Sequence, residues 1–206
     1  MQIPLYRFLM YCNQSKLDKE ILDCGAGGKQ PPLSLFYENG YRTHGIEFDV
    51  NQMEKARSYA QSKDQNLNIE RGDMRRLDLT GQSFSFVYSY NSIFHMKKAE
   101  VRTSIEELKR VLKPGGLLFV NFLTTNDHRC GLGKRVGDNE YEQMEDHRPV
   151  VHSYFREDEA DSYFHDMRIL YKENRTLERI YEGNRIRQGF VDYILQMQDQ
   201  EESGRQ

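Results

Sequence analysis

The residues best placed to do chemistry begin at Asp23, in the run Ile21-Leu22-Asp23-Cys24-Gly25-Ala26-Gly27-Gly28. An apolar strand ends in an acid and a glycine-rich turn follows at once. Pro31-Pro32 then open an apolar helix, Leu33-Ser34-Leu35-Phe36. Strand, glycine turn and helix in that order form a cradle for a bound cofactor. The position of the acid selects the ligand. Asp23 stands two residues before the first glycine, where a carboxylate suits a cationic group such as an amino acid's ammonium. The same carboxylate repels a pyrophosphate. The glycine spacing agrees: a dinucleotide turn, G-x-G-x-x-G, requires glycine at position 30, which is Gln30. A phosphate loop requires a hydroxyl residue after Gly28-Lys29, and Gln30 again fails, as does Asp23 at the first glycine. The plain alternative is a turn that uses glycine only for tight geometry.

Further polar groups fall where strands end, and the elements that carry them alternate. An amphipathic helix fits residues 5–14, and strands fit 20–23, 43–48, 67–71, 83–90 and 117–123. A helix opening at Pro32 stops near Gly40. A second is capped by Asp49, with Gln52 three residues on and Met53, Ala56 and Ala60 on one face. A third, from Ala99, carries Val101, Ile105, Leu108 and Leu112 at helical spacing and stops at Lys113-Pro114-Gly115-Gly116. This order implies a doubly wound parallel sheet with helices on both faces. Ligands of such sheets bind beyond the carboxyl ends of the strands. Asp23, Glu47, Asp73 and Tyr88–Asn91 come from different strands and converge on that edge.

Residues 124–152 are polar and contain Gly131, Gly133 and Gly137, which reads as a long loop or lid over the same edge. A helix over 157–164, strands over 168–179 and 189–197, and a hairpin turn at Tyr181-Glu182-Gly183-Asn184 follow. The whole reads as one domain: an N-terminal helix in 1–18, a cofactor core in 19–123, a lid in 124–152, a helix and hairpin in 153–198 and a polar tail in 199–206.

Bulk properties exclude several classes. The 206 residues suit one domain, and 37% hydrophobic with 30% charged residues describes a soluble globular protein. A net charge of −3 without a basic stripe argues against nucleic acid. No run approaches the ~18 apolar residues of a membrane span. Arg7 interrupts the apolar N-terminus, so no secretory signal is expected. Cys12, Cys24 and Cys130 are scattered, which fits reduced thiols in the cytoplasm and no metal site.

With these residues in place the chain resembles the class I S-adenosylmethionine-dependent methyltransferases of the small-molecule kind, with a type 11/25-like domain. Asp23-Cys24-Gly25-Ala26-Gly27 is similar to the family's first motif, and Glu107-Leu108-Lys109-Arg110-Val111-Leu112-Lys113-Pro114-Gly115-Gly116 to its last. Lys29 stands where the family's third alternating glycine would be. The resemblance implies a Rossmann-like seven-stranded sheet, mostly parallel, with one antiparallel strand near an edge. It implies S-adenosylmethionine as cofactor, bound by Asp23, Gly25, Ala26, Gly27, Glu47, Phe48, Asp73, Met74, Tyr90 and Asn91. Asp23 would meet the ammonium, Glu47 both ribose hydroxyls and Asp73 the adenine amino group, with Met74 on the ring. Tyr6 or Tyr11 would close over the cofactor, and plain core packing fits either equally.

Methyl transfer from a sulfonium is an in-line displacement, and a base is needed only for a protonated acceptor. His95, Tyr90 and His152 are the candidate catalytic residues, with His128 and His147 as further candidate bases. Tyr88 and Tyr90 could orient an acceptor. The expected partner is a small-molecule acceptor, with no nucleic acid or membrane, in a monomer or homodimer. The alternative is an S-adenosylmethionine-binding module without transfer activity; an NAD-dependent oxidoreductase is disfavoured by Asp23 and Gln30.

Overall fold

A computed structural model of the chain describes residues 3–145 and 147–198. A helix, α1 (Ile3–Gln14), precedes β1 (Glu20–Cys24), α2 (Leu33–Glu38), β2 (Arg42–Glu47), α3 (Val50–Ser62) and β3 (Ile69–Arg71). Then come β4 (Phe84–Ser89), α4 (Lys98–Val111) and β5 (Leu112–Thr124). Three short strands follow, β6 (Lys134–Gly137), β7 (Glu140–Glu145) and β8 (Arg148–Phe155). A 3₁₀ turn (Glu159–Tyr163) leads to the long hairpin of β9 (Met167–Tyr181) and β10 (Asn184–Met197).

The body of the sheet runs β3-β2-β1-β4-β5-β10-β9. Strands β1 to β5 are mutually parallel, and β10 is antiparallel to both β5 and β9. These are the seven strands expected, with the antiparallel one next to the edge. Alternation along the strands gives the sheet two apolar faces. Leu22, Cys24, Val87, Leu118 and Val120 point one way, under Val101, Ile105 and Leu108 of α4. Ile21, Phe86, Tyr88 and Phe119 point the other way, under Leu5 and Phe8 of α1, Leu33 and Phe36 of α2, and Met53 and Ala56 of α3.

The expectation for 124–152 is corrected. It is an antiparallel sheet, β6-β7-β8, and its last strand reaches Phe155. With it the strands number ten among the described residues. Leu123 of β5 pairs with Phe190 of β10 and with Tyr154 of β8. A strand has only two edges, so β8 takes the edge that β4 vacates after Ser89↔Val120. That places the small sheet over the carboxyl end of β4, as a cap. The polar composition misled because one face of the cap is solvated: β6 is exposed or half-exposed throughout, whereas Ser153, Tyr154 and Phe155 are buried.

Smaller corrections have local causes. The helix expected over 157–164 is only a 3₁₀ turn, Glu159–Tyr163. Pro32 is the residue before α2 rather than its first turn. Strand β5 begins at Leu112, with Gly115 at φ +70 and a register break opposite Phe84–Phe86, because the Pro-Gly-Gly stop is absorbed as an irregular strand start. Asp49 caps α3 as expected, accepting from the Asn51 and Gln52 N–H groups at 2.8 and 3.1 Å. The hairpin turn has Glu182 and Gly183 both at positive φ, the geometry that tight β-hairpins favour. Among the described residues no helix is long and apolar enough to cross a membrane. The expected tail at 199–206 lies outside the described residues.

Candidate functional site

At the carboxyl ends of β1, β2 and β4, beneath the cap, lies a cavity of about 650 Å³. One wall is the first glycine turn. Gly25 and Ala26 N–H groups both donate to the Ile46 carbonyl, which pins the turn to β2. Gly25 has φ +106, and a Cβ there would fall 2.1 Å from the Ser92 hydroxyl oxygen. A Cβ on Gly27 would fall 2.6 Å from Glu47 Oε2. Neither position has room for a side chain, so the turn packs its bare backbone against Ser92 and Glu47.

The second wall is the end of β2. Glu47 accepts from the Asp49 N–H at 2.8 Å through Oε1, and burial raises its pKa. Phe48 is 62% exposed, with the Arg75 guanidinium 5.7 Å from its ring centre. The third wall is Asp73-Met74-Arg75. Asp73 is gripped by Arg75, whose Nε lies 2.9 Å from Oδ1 and whose Nη2 lies 2.7 Å from Oδ2. Those hydrogen bonds hold its carboxyl below the usual range. Arg75 also pairs with Glu100, at the start of α4.

The loop after β4 closes the side. Asn91 adopts φ +54, held by a reciprocal amide pair with buried Asn121: its N–H donates to Asn121 Oδ1 at 2.8 Å and its Oδ1 accepts from Asn121 Nδ2 at 2.7 Å. His95 and Met96 line the cavity beyond it, and Glu145 with Arg148–Val151 of the cap forms the roof. The cap is fastened by Ser153, whose N–H donates to the Phe94 carbonyl at 3.0 Å and whose hydroxyl donates to the Met96 carbonyl at 2.6 Å. Arg148 of β8 meets Asp49 at 2.9 Å across the mouth.

Gly25, Gly27, Glu47, Phe48, Asp73, Met74, Asn91 and His95 thus stand together on the cavity. Ala26, Tyr88, Tyr90, His152 and Asp23 do not. Ala26 is buried with its side chain in the core cluster under α1 and α3. Tyr90 packs on Phe119, with ring centres 6.1 Å apart, and Tyr88 is fully buried among Phe8, Phe36 and Asp23. The reason is period two: Tyr88 and Tyr90 share the sheet face that α1 and α2 cover. His152 lies behind the wall, 1% exposed, its ring 4.7 Å from that of His95. Asp23 itself is 1% exposed and accepts from the Tyr88 hydroxyl at 2.8 Å. Burial pushes its pKa up to about 8; the Tyr88 hydrogen bond opposes that and the nearby Glu47 charge adds to it. It sits directly below the glycine turn rather than on the open surface.

His128 is tied to the Arg187 carbonyl at 2.8 Å, His147 is exposed, and neither lines the cavity. Tyr6 is 55% exposed and Tyr11 packs in the core, so neither covers the cavity. The missed residues are Arg75, Ser92, Glu145 and Arg148. Arg75 had a signal, two residues past a strand-end acid; Glu145 and Arg148 had none, because their strands looked like a loop.

Burial and the neighbouring His152 push the His95 pKa down to about 4, so its imidazole is neutral near pH 7. Glu145 is held down at about 2, mainly by His152, with Arg129 adding.

The fold and this cavity define a doubly wound α/β protein with a capped site, and comparison with known proteins shows what it is similar to. Residues 22–120 match the methyltransferase-domain family. A SAM-dependent methyltransferase from Methanosarcina mazei shares the fold, with a TM-score of 0.74 at 24% identity over 93% of this chain and 98% of its own. A sterol 24-C-methyltransferase from Pneumocystis carinii is 32% identical over 127 residues, 56% of this chain and 33% of the relative. A 27-O-demethylrifamycin SV methyltransferase from Amycolatopsis mediterranei is 31% identical over 100 residues, 48% of this chain and 36% of the relative. The chain spans less than half the length of these two relatives. Over residues 22–120 it has the type 11-like methyltransferase domain of the S-adenosylmethionine-dependent methyltransferases. S-adenosylmethionine is the cofactor of that family, and the chain fits it: Gly25 and Gly27 present bare backbone to the cavity beside an acceptor-only carboxylate, Glu47.

Proposed function

We propose that the chain transfers the methyl group of S-adenosylmethionine to a small-molecule acceptor held between the β4 end and the cap. The observation that carries this is the cavity itself, which the glycine turn and Glu47 line together with His95 and the roof strands. The named sterol and rifamycin relatives act on small molecules, which supports an acceptor of that size.

When bound, the cofactor supplies a sulfonium methyl that needs no further activation. The chain's residues do the rest. Glu47, whose Oε1 accepts from the Asp49 N–H, offers its carboxylate to paired hydroxyls. Met74 and Phe48 offer apolar faces to a flat ring at the cavity's edge. Asp23, below Gly25, offers negative charge toward a cationic end once it ionises. Asp73, already gripped by Arg75, contributes chiefly by fixing that wall. Neutral His95 can accept a proton from an acceptor. His152 touches no acceptor and positions His95 from behind. Val150, Val151 and Pro149 exclude water from above. In this reading residues 3–198 act as one domain, a seven-stranded body with a three-stranded cap.

The test is turnover of methyl-labelled S-adenosylmethionine against a metabolite library. Label transfer to a small molecule supports the proposal. Tight cofactor binding with no transfer to any acceptor would establish the alternative, a binding module that acts as a sensor or partner subunit.

A further inference from the structure

The cap brings together three groups that the mechanism above does not need as a set. His95 comes from the loop after β4, Glu145 from the end of β7 and His152 from β8. One ligating atom of each lies within 4.8 Å of the others. His152 Nε2 is 3.1 Å from Glu145 Oε1, and His95 Nδ1 is 3.8 Å from Glu145 Oε2. Two further observations point to a ligand. The His152 side chain is 2% exposed, yet neither ring nitrogen has a hydrogen-bond partner. The short Nε2 contact has the distance of a hydrogen bond without its direction. Arg129 donates to Glu145 Oε1 at 2.7 Å, fixing the carboxylate as an outer-shell partner fixes a metal-bound one.

We propose that His95, Glu145 and His152 form a binding site for a first-row divalent cation of the zinc class, on the acceptor side of the cavity. Two imidazoles and one carboxylate suit zinc, cobalt or iron better than magnesium or calcium, which favour all-oxygen sets. Ligand bonds of about 2.1 Å put tetrahedral ligand atoms roughly 3.4 Å apart, so small side-chain rotations close the observed set on an ion. His95 and Glu145 line the cavity while His152 lies behind them, so the open coordination position faces the acceptor. The acceptor class follows: a molecule that presents a hydroxyl oxygen. With the ion bound His95 is a ligand and no longer the proton acceptor; metal binding lowers that hydroxyl's pKa, and its proton leaves to water. The oxygen lone pair then forms the O–C bond as the C–S bond breaks, its electrons staying on sulfur. This use of the site rests on the methyl-transfer proposal; the binding of the ion does not.

The test is titration of the chelator-treated full chain with Co²⁺ alone, read by visible absorption, with Zn²⁺ as competitor. One equivalent bound with cobalt bands, displaced by Zn²⁺, is the expected result. Glu145→Gln, His152→Ala and His95→Gln should each weaken it by more than the about 10–100-fold that loss of an outer-shell partner costs. Circular dichroism checks folding; His95→Gln, at a 35% exposed side chain, serves as the readout if His152→Ala does not fold. Absence of stoichiometric Co²⁺ binding, or binding unaltered in His95→Gln and Glu145→Gln, overturns the site. Calorimetry with S-adenosylmethionine on the same samples separates the two proposals. Cofactor binding without Co²⁺ binding sinks only the metal site, and Co²⁺ binding without cofactor binding sinks only methyl transfer.

Discussion

Asp23 is a buried acid whose charge state depends on what lies above it. Without a cationic neighbour, burial holds its pKa up at about 8, so near pH 7 it is mostly protonated. A cationic ligand end favours the ionised form. Cofactor binding at pH 7 should therefore release roughly one proton. Calorimetry in buffers of different ionisation enthalpy reads this directly, and Asp23→Asn should abolish the release. No buffer dependence in the wild-type chain would show that the ammonium does not reach Asp23. Glu47 and Gly27 form the other residue-scale device. Removing the carboxylate in Glu47→Ala should weaken cofactor binding by ~1–3 kcal/mol. Gly27→Ala should cost a similar ~1–3 kcal/mol, because its Cβ would fall 2.6 Å from Glu47 Oε2 and must push it aside. Both are read as dissociation constants, and unchanged affinity in both would displace the site.

At the scale of elements, Asp49 does two jobs with unequal weight. It caps α3 through two backbone N–H groups and meets Arg148 of β8. Loss of the cap in Asp49→Ala should cost ~1 kcal/mol, whereas Arg148→Ala, at a 60% exposed side chain, should cost little in stability. Thermal unfolding of the two variants compares them, and an equal fall in Tm would make the ion pair the stronger contact. The capping acid of α3 was legible from Asp49 and Gln52 alone, since capping is a local affair. The cap sheet was not, because β6 to β8 are held to the body by Ser153 and by the far end of β5, partners distant in sequence.

At the scale of the molecule, Phe122 joins the parts. Fully buried on β5, it meets Phe155 of β8, Tyr163 and Phe164 after it, and Tyr193 of β10. Phe122→Ala should destabilise the chain by ~3–5 kcal/mol. Cofactor affinity of the remaining folded fraction should stay unchanged, since Phe122 does not line the cavity. Denaturant unfolding beside calorimetry checks both halves, and lost affinity in a fully folded variant would contradict them.

By itself the sequence determined what depends on local chemistry and on period. The glycine turn, the strand-end acids, the two helical faces and the order of strands and helices all follow from neighbours a few residues apart, and they carry the likeness to the methyltransferase domain that residues 22–120 match. The tertiary structure alone decided which side of each strand faces the cavity. That removed Tyr88 and Tyr90, whose face α1 and α2 cover, and set Asp23 beneath the turn instead of in the open. It also decided that a polar stretch becomes a cap bearing Glu145 and His152 opposite His95. That meeting depends on which edge of β5 is free after β4 ends, a fact of topology that no spacing along the chain records.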